Sequence, residues 1–265
     1  MRLLAVVVNY KTPKMLKRFA ESYQEFVKTE DSRLVVVDVE SDHVDGSCDG
    51  VDADIFLWSQ DNIGFARSVN LGVQTGLGIL DADIIGIFNA DTAFTNSECI
   101  ATTLKCFSDD NVGIVGPRQV DSKNRVTHAG FYNENGTIVG PGWHERNVGQ
   151  YISVMDAHYV SGSAMFVRRT VWDELSSCES FLDASPEADG AMLVTPHYYE
   201  DRFLCEHALA HGHRVIYNGS GTMLHEWHAS SPVGSWVDQE HKESRKIFSN
   251  ACRVHGFSML RSAEA

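Results

Sequence analysis

The residues of this 265-residue chain that could do chemistry stand at the ends of apolar runs. Asp91 closes the run Ile84-Ile85-Gly86-Ile87-Phe88-Asn89-Ala90-Asp91, and Asp38 closes Leu34-Val35-Val36-Val37. Asn9 and Tyr10 end Leu3 to Val8, while Asn62 and Arg67 follow Ile55 to Trp58. The second half adds the adjacent carboxylates Glu200 and Asp201, and His225. A carboxylate at such a position can hold a hard divalent cation, which in turn can hold phosphate oxygens. Its alternative role is to cap a turn through an Asx hydrogen bond.

The elements that must position these groups follow from periodicity. Short runs of apolar residues, rich in Val and Ile, read as strands buried on both faces of a parallel sheet. Between the first two runs, Thr12-Pro13 starts a helix with Met15, Leu16, Phe19, Tyr23 and Phe26 on one face. A helix carrying Val69 and Val73 precedes the Ile84 strand. Thr95-Asn96-Ser97-Glu98 reads as a capping box opening another helix, and Val112 to Gly116 as a further strand stopped by Pro117. This alternation predicts an α/β fold with a mostly parallel sheet flanked by helices, and ligands bind beyond the carboxyl ends of such strands. After Pro117 the texture is mixed: Asn135-Gly136 signals a hairpin between Val126–Phe131 and Thr137–Val139. Residues 183–197 read as a loop over the cleft. Glu200 opens a helix ending near Gly212, and Arg214 to Tyr217 is the last strand expected. His225 then falls in a loop from Gly219 to Gly234, and a final amphipathic helix starts at Ser235.

Composition narrows the classes. Hydrophobic residues make up 43% of the chain, enough for a substantial core, and the formal net charge is −14. That balance disfavours nucleic acid as a partner. It also means that an anionic ligand would need a local positive source, such as a metal ion. The six scattered cysteines include no Cys-x-x-Cys pair, so free thiols in a reducing cytoplasm are expected. Leu3 to Val8 is too short to cross a membrane and lacks a signal-peptide cleavage region, so no transmembrane segment is expected. There is no Gly-x-Gly-x-x-Gly after the first strand and no P-loop.

In order along the chain, several segments together resemble the family 2 glycosyltransferases of GT-A fold, particularly their rhamnosyltransferase-like members. They are Val-Val-Val-Asn-Tyr at 6–10, Val-Val-Val-Asp at 35–38, Asp-Asn-Ile-Gly-Phe-Ala-Arg-Ser-Val-Asn at 61–70, and Phe-Asn-Ala-Asp-Thr at 88–92. Gly-Ser-Ala-Met-Phe-Val-Arg-Arg at 162–169, Tyr-Tyr-Glu-Asp-Arg-Phe-Leu-Cys at 198–205, and His225 complete the set. The resemblance implies a nucleotide-diphosphate sugar as donor, and as acceptor a hydroxyl of a glycan or a lipid-linked glycan. It implies a nucleoside pocket of Asn9, Tyr10 and Asp38, with Arg67, Asn89 and Gly162 as further donor contacts. Asp91 and His225 become metal ligands, for Mn2+ or in its place Mg2+, since Mn2+ accepts imidazole more readily. Asp201 becomes the base that deprotonates the acceptor in an inverting transfer, with Glu200 orienting it. The implied division is 1–117 for the nucleotide sugar, 118–235 for acceptor and catalysis, and a helical 236–265. A cytoplasmic enzyme with peripheral membrane association fits this reading. Trp143 and Trp227 are candidates to stack on a sugar, and His228 is a candidate for the acceptor side.

Asn89 stands where the family carries the first Asp of its Asp-x-Asp metal motif, which removes one charge. That departure keeps a second reading open, a catalytically idle nucleotide-sugar or glycan-binding protein on the same scaffold. A sugar nucleotidyltransferase would carry a Gly-rich basic loop after its first strand, which Asn9-Tyr10-Lys11-Thr12 is not.

Overall fold

A strand that is apolar on both faces must be covered on both sides, and the chain meets that demand in order. The computed structural model describes residues 1–40, 48, 50–226, 235–257 and 261–262, the side chains of 235–238 and 261–262 excepted. It opens with β1 (Leu3–Tyr10), α1 (Pro13–Phe26), β2 (Ser32–Val39), β3 (Ile55–Ser59), α2 (Phe65–Leu77) and β4 (Ile84–Asn89). β1 pairs in parallel with both β2 and β4, and β2 with β3. Leu4, Val6 and Val8 of β1 face one core with Val69 and Val73 of α2. Leu3, Ala5 and Val7 face the other with Leu16, Phe19 and Tyr23 of α1. α2 lies close to the sheet because Gly72 and Gly76 face it. A Cβ on Gly72 would stand 2.4 Å from Val6 Cγ1.

The chain continues through β5 (Thr92–Phe94), α3 (Ser97–Cys106), β6 (Val112–Val120), β7 (Val126–His128), β8 (Tyr132–Glu134) and β9 (Thr137–Val139). Next come β10 (Val154–Asp156), β11 (Ala164–Arg168), α4 (Arg169–Ser176), α5 (Glu179–Ala184) and α6 (Glu200–Ala210). β12 (Arg214–His225), α7 (Ser235–His255) and β13 (Arg261–Ser262) end it. Among the described residues one sheet runs in the order β10-β12-β6-β11-β4-β1-β2-β3, with β5 on β12 and β7 on β6. β11 is antiparallel to both β4 and β6, so the second half extends the same sheet. β8, β9 and β13 make a small second sheet.

Several expected boundaries shift for physical reasons. The α3 cap is Asn96, one residue beyond Thr95, because its side chain accepts from the N–H groups of Glu98 and Cys99. Asn135 and Gly136, at φ 53° and 88°, do form the hairpin turn, but it joins β8 to β9 while Val126–His128 pairs with β6. The strand expected to end at Tyr217 runs on to His225. It passes an irregularity between Asn218 and Thr222, where Gly219 lets the backbone of Tyr151–Ser153 approach. His225 therefore lies on a strand and not in a loop. Residues 183–197 are packed down: Ala191, Met192 and Leu193 are buried, and the Asn70 amide both donates to Met192 O and accepts from Met192 N. All six cysteines are free. Among the described residues no helix is long and apolar enough to cross a membrane.

Two buried histidines couple this packing to pH. His207 Nδ1 lies 3.1 Å from His255 Nε2, and His255 Nδ1 lies 2.7 Å from Ser180 Oγ, which joins α6, α7 and α5. Burial first, then the neighbouring His211, His255 and His213, holds His207 down to about 3. Burial does the same to His128, with His225 adding to it. Both folded values lie below the ordinary 6.5, so the unfolded chain binds more protons below that pH. The stabilisation is complete above pH 6.5 and is lost as pH falls. Each histidine should cost roughly 2 kcal/mol between pH 6.5 and 5. Urea unfolding at pH 7.5 and pH 5.0 checks this: the midpoint should fall, and His207→Gln should shrink the fall.

Candidate active site

The carboxyl ends of β1, β2 and β4 open onto a cleft of about 530 Å³, where an α/β sheet of this order places its ligands. Tyr10, Thr12, Val39, Asn62 and Phe65 line one side, and Asn89, Ala90 and Asp91 lie at the end of β4. Ser161, Gly162 and Ser163, just before β11, line it as well. His225, Glu200, Asp201, His197, Tyr198 and Glu240 complete the wall. No Lys or Arg lines the cleft among the described residues.

Asp91 and His225 are brought together by backbone pairing. β5 runs antiparallel to the end of β12, with Thr92 opposite His225, and Glu226 N–H donates to Asp91 O at 3.0 Å. The side chains follow: His225 Nε2 lies 3.6 Å from Asp91 Oδ1, both residues buried. Two ligands each about 2.1 Å from one ion stand roughly 3 to 3.5 Å apart, so a carboxylate and an imidazole at this spacing could share a divalent cation. Arg18 of α1 braces the junction through Glu226 Oε1 at 3.3 Å, and Ser122 Oγ donates to Glu226 Oε2 at 2.9 Å.

Glu200 and Asp201 owe their position to a strained turn. Tyr198 and Tyr199 both adopt left-handed backbone, at φ 69° and 76°, which bulky residues rarely do and which costs about 1–3 kcal/mol at each. Surrounding contacts impose it. Tyr199 stacks on Phe248 of α7 with ring centroids 5.1 Å apart, His197 N–H donates to Ser244 Oγ, and Thr195 Oγ1 donates to Tyr198 O at 2.8 Å. The first turn of α6 is thereby aimed at the cleft. Asp201 Oδ2 accepts from Gly162 N–H at 2.9 Å, and Oδ1 from Arg202 N–H at 2.7 Å. Arg202 donates from Nε to Glu206 Oε1 at 2.9 Å.

Burial pushes both carboxyls above their ordinary range, and the Asp201 charge raises Glu200 further. Hydrogen bonding agrees. Thr195 Oγ1 lies 3.2 Å from Glu200 Oε2 while its single proton goes to Tyr198 O. A protonated Glu200 donating to Thr195 satisfies all three groups. The pair is therefore held toward the neutral form, with two backbone N–H groups supporting the charged form of Asp201.

The expected site residues divide by placement. Asp91, His225, Glu200, Asp201, Tyr10, Asn89 and Gly162 all line the cleft. Asn9 and Asp38 are fully buried beneath it: Asn9 Nδ2 donates to Asp38 Oδ1 at 2.7 Å, and Asn9 Oδ1 accepts from Thr12 Oγ1. Arg67 is not brought to the cleft. Its guanidinium pairs with Glu187 on the outer part of the 183–197 segment, a partner invisible to local sequence. Trp143 is exposed and stacks on His144, and it does not line the cleft. Trp227 and His228 lie outside the described residues. Sequence reasoning singled out neither Tyr198 nor Glu240. Tyr198 stood within a quoted motif, but Glu240 carried no signal beyond a place in an amphipathic helix.

No protein-family model matches the chain, and no curated protein matches it in sequence. Solved structures do share its fold. One is the mannosyltransferase PcManGT from Pyrobaculum calidifontis in complex with GDP-Man and Mn2+. Its TM-score is 0.60, at 15% identity, with 95% of this chain and 64% of that one covered. Another is GalNAc-T7 with UDP, GalNAc and Mn2+, at a TM-score of 0.66 and 10% identity, covering 96% of this chain and 48% of that one. This chain thus spans less than two thirds of either structure's length. It has the GT-A glycosyltransferase fold.

The coupling of the two carboxyls can be read directly. In Asp201→Asn the Glu200 carboxyl should titrate at lower pH than in the wild type, followed by carboxyl carbon NMR. An unchanged Glu200 titration would contradict the coupling.

Proposed function

We propose that this chain is a metal-dependent, inverting glycosyltransferase that moves a sugar from a nucleotide-diphosphate sugar to an acceptor hydroxyl. One observation carries the reading: Asp91, His225 and the hydrogen-bonded Asp201 converge on one cleft that no Lys or Arg lines among the described residues. A diphosphate in such a cleft needs a cation to offset its charge. Asp91 and His225 would hold Mn2+, or Mg2+ in its place, and the two fold relatives were solved with Mn2+. Bound there, the ion would stabilise the charge on the departing diphosphate.

The chain's own residues supply the remaining parts. Tyr10 and Val39 offer a flat apolar wall to the nucleoside, and the buried Asn9–Asp38 pair locks the ends of β1 and β2 behind it. Asn89 stands beside Asp91 as a neutral donor contact. Asp201, held by Gly162 N–H and raised in basicity by burial, accepts the proton of the acceptor hydroxyl as it attacks. Glu200, beside it on the cleft wall, orients the acceptor. Residues 1–117 serve the donor and 118–235 the acceptor and the proton transfer, followed by the C-terminal helical segment 236–265. The ordered motifs resemble family 2 glycosyltransferases of the rhamnosyltransferase-like group, which supports the inverting course.

A panel of UDP-, dTDP- and GDP-sugars, assayed for nucleotide release with Mn2+ and with EDTA, tests the proposal. Turnover should require the metal, and Asp201→Asn should lower kcat by about 10²- to 10⁴-fold. Asn89→Asp restores a second carboxylate and should tighten Mn2+ binding in calorimetry. EDTA-insensitive turnover would sink the metal role, and donor binding without transfer to any acceptor would favour an idle binding protein.

A further inference from the structure

The cleft is also lined by side chains to which the transfer gives no role, Tyr198, His197 and Glu240. Tyr198, a large aromatic residue, is 36% exposed, and its left-handed backbone places it on the cleft wall. His197 packs edge-on against its ring with centroids 3.9 Å apart, and His241 of α7 lies 5.7 Å away on another side. Glu240 of α7 lines the cleft with Glu200 and Asp201, and these three carboxyls all bear on the Tyr198 phenol. An exposed aromatic face beside carboxylates suits a neutral sugar ring, whose C–H face stacks while its hydroxyls donate. A phosphate at the same place would meet like charges on a wall that no Lys or Arg lines among the described residues.

Resting on the glycosyltransferase reading, we propose that the acceptor is an uncharged sugar residue of a glycan. It stacks on Tyr198 and donates hydroxyl hydrogen bonds to Glu240, and an acceptor with phosphate on that sugar is excluded. The specificity lies in the ring and in the charge of the wall around it. Tyr198→Gly removes the ring while suiting the left-handed backbone, so it separates recognition from folding. Tyr198→Phe keeps the stacking face.

The test uses the full chain with Mn2+ and UDP, dTDP or GDP on an array of mannose-, glucose- and galactose-containing oligosaccharides and their 6-phosphates. Neutral glycans should bind and their phosphorylated counterparts should not. Tyr198→Gly should weaken neutral-glycan binding about fivefold or more, and Tyr198→Phe should retain it. Preference for the phosphorylated forms, equal binding by Tyr198→Gly, or no glycan signal at all overturns the assignment. Calorimetry with UDP–Mn2+, dTDP–Mn2+ and GDP–Mn2+ keeps the two readings apart. Nucleotide binding with a failed array sinks only the acceptor assignment, whereas absent nucleotide binding sinks the glycosyltransferase reading.

Discussion

Three residues of antiparallel pairing, Thr92–Phe94 against Met223–His225, hold the cleft together. The ladder closes a long loop of chain, and its entropic cost is met by what it anchors. Phe88 and Phe94 meet Phe19 and Phe166 in a cluster with centroids 5.1 to 6.0 Å apart, directly under the Asn89–Asp91 turn. Arg18 and Ser122 hold Glu226 just beyond the ladder. The Asp91–His225 spacing is therefore set by backbone hydrogen bonds and an aromatic floor. It does not rest on the two side chains finding each other.

The second constraint is electrostatic. Glu200 and Asp201 occupy the first turn of α6, where the helix dipole favours negative charge by about 1 kcal/mol at most on an exposed surface. Desolvation of a carboxylate costs several kcal/mol, so burial outweighs the dipole and both groups are raised. Gly162 and Arg202 N–H groups keep Asp201 the better supported anion of the two. A single threonine hydroxyl completes the asymmetry from the Glu200 side.

How far the sequence reveals all this depends on how local each signal is. β1, β2 and β4 were legible because burial on both faces leaves unbroken apolar runs, and their polar ends pointed to the cleft. β12 was cut short because Gly219, Ser220 and Gly221 read as loop, whereas the structure uses them for an irregularity within one strand. Asp91, His225 and Asp201 were readable as a set only through the order of several motifs. Arg67 looked like a phosphate contact because its partner Glu187 lies 120 residues away in the chain. Glu240 was invisible, since periodicity shows that a helical position is polar without showing what it faces. Tyr198 was hidden by its backbone, because nothing in Tyr-Tyr-Glu-Asp announces two left-handed residues.

Asn70 gives the 183–197 segment a fixed point. Its amide clasps the backbone of Met192 and makes no demand on that side chain, and Gly190 lies against it so tightly that a Cβ would stand 2.5 Å from Asn70 Oδ1. Upstream of the clasp, Glu187 is exposed and pairs with Arg67 at the surface. Downstream, Thr195 to Tyr199 set the aim of the α6 carboxyls. The two stretches stay tied across the clasp, since Ser185 Oγ accepts from Val194 N–H at 3.3 Å. Substitutions at the exposed Pro186, Glu187 and Asp189 leave both ties in place, so this segment can drift in outline while the cleft carboxyls keep their position.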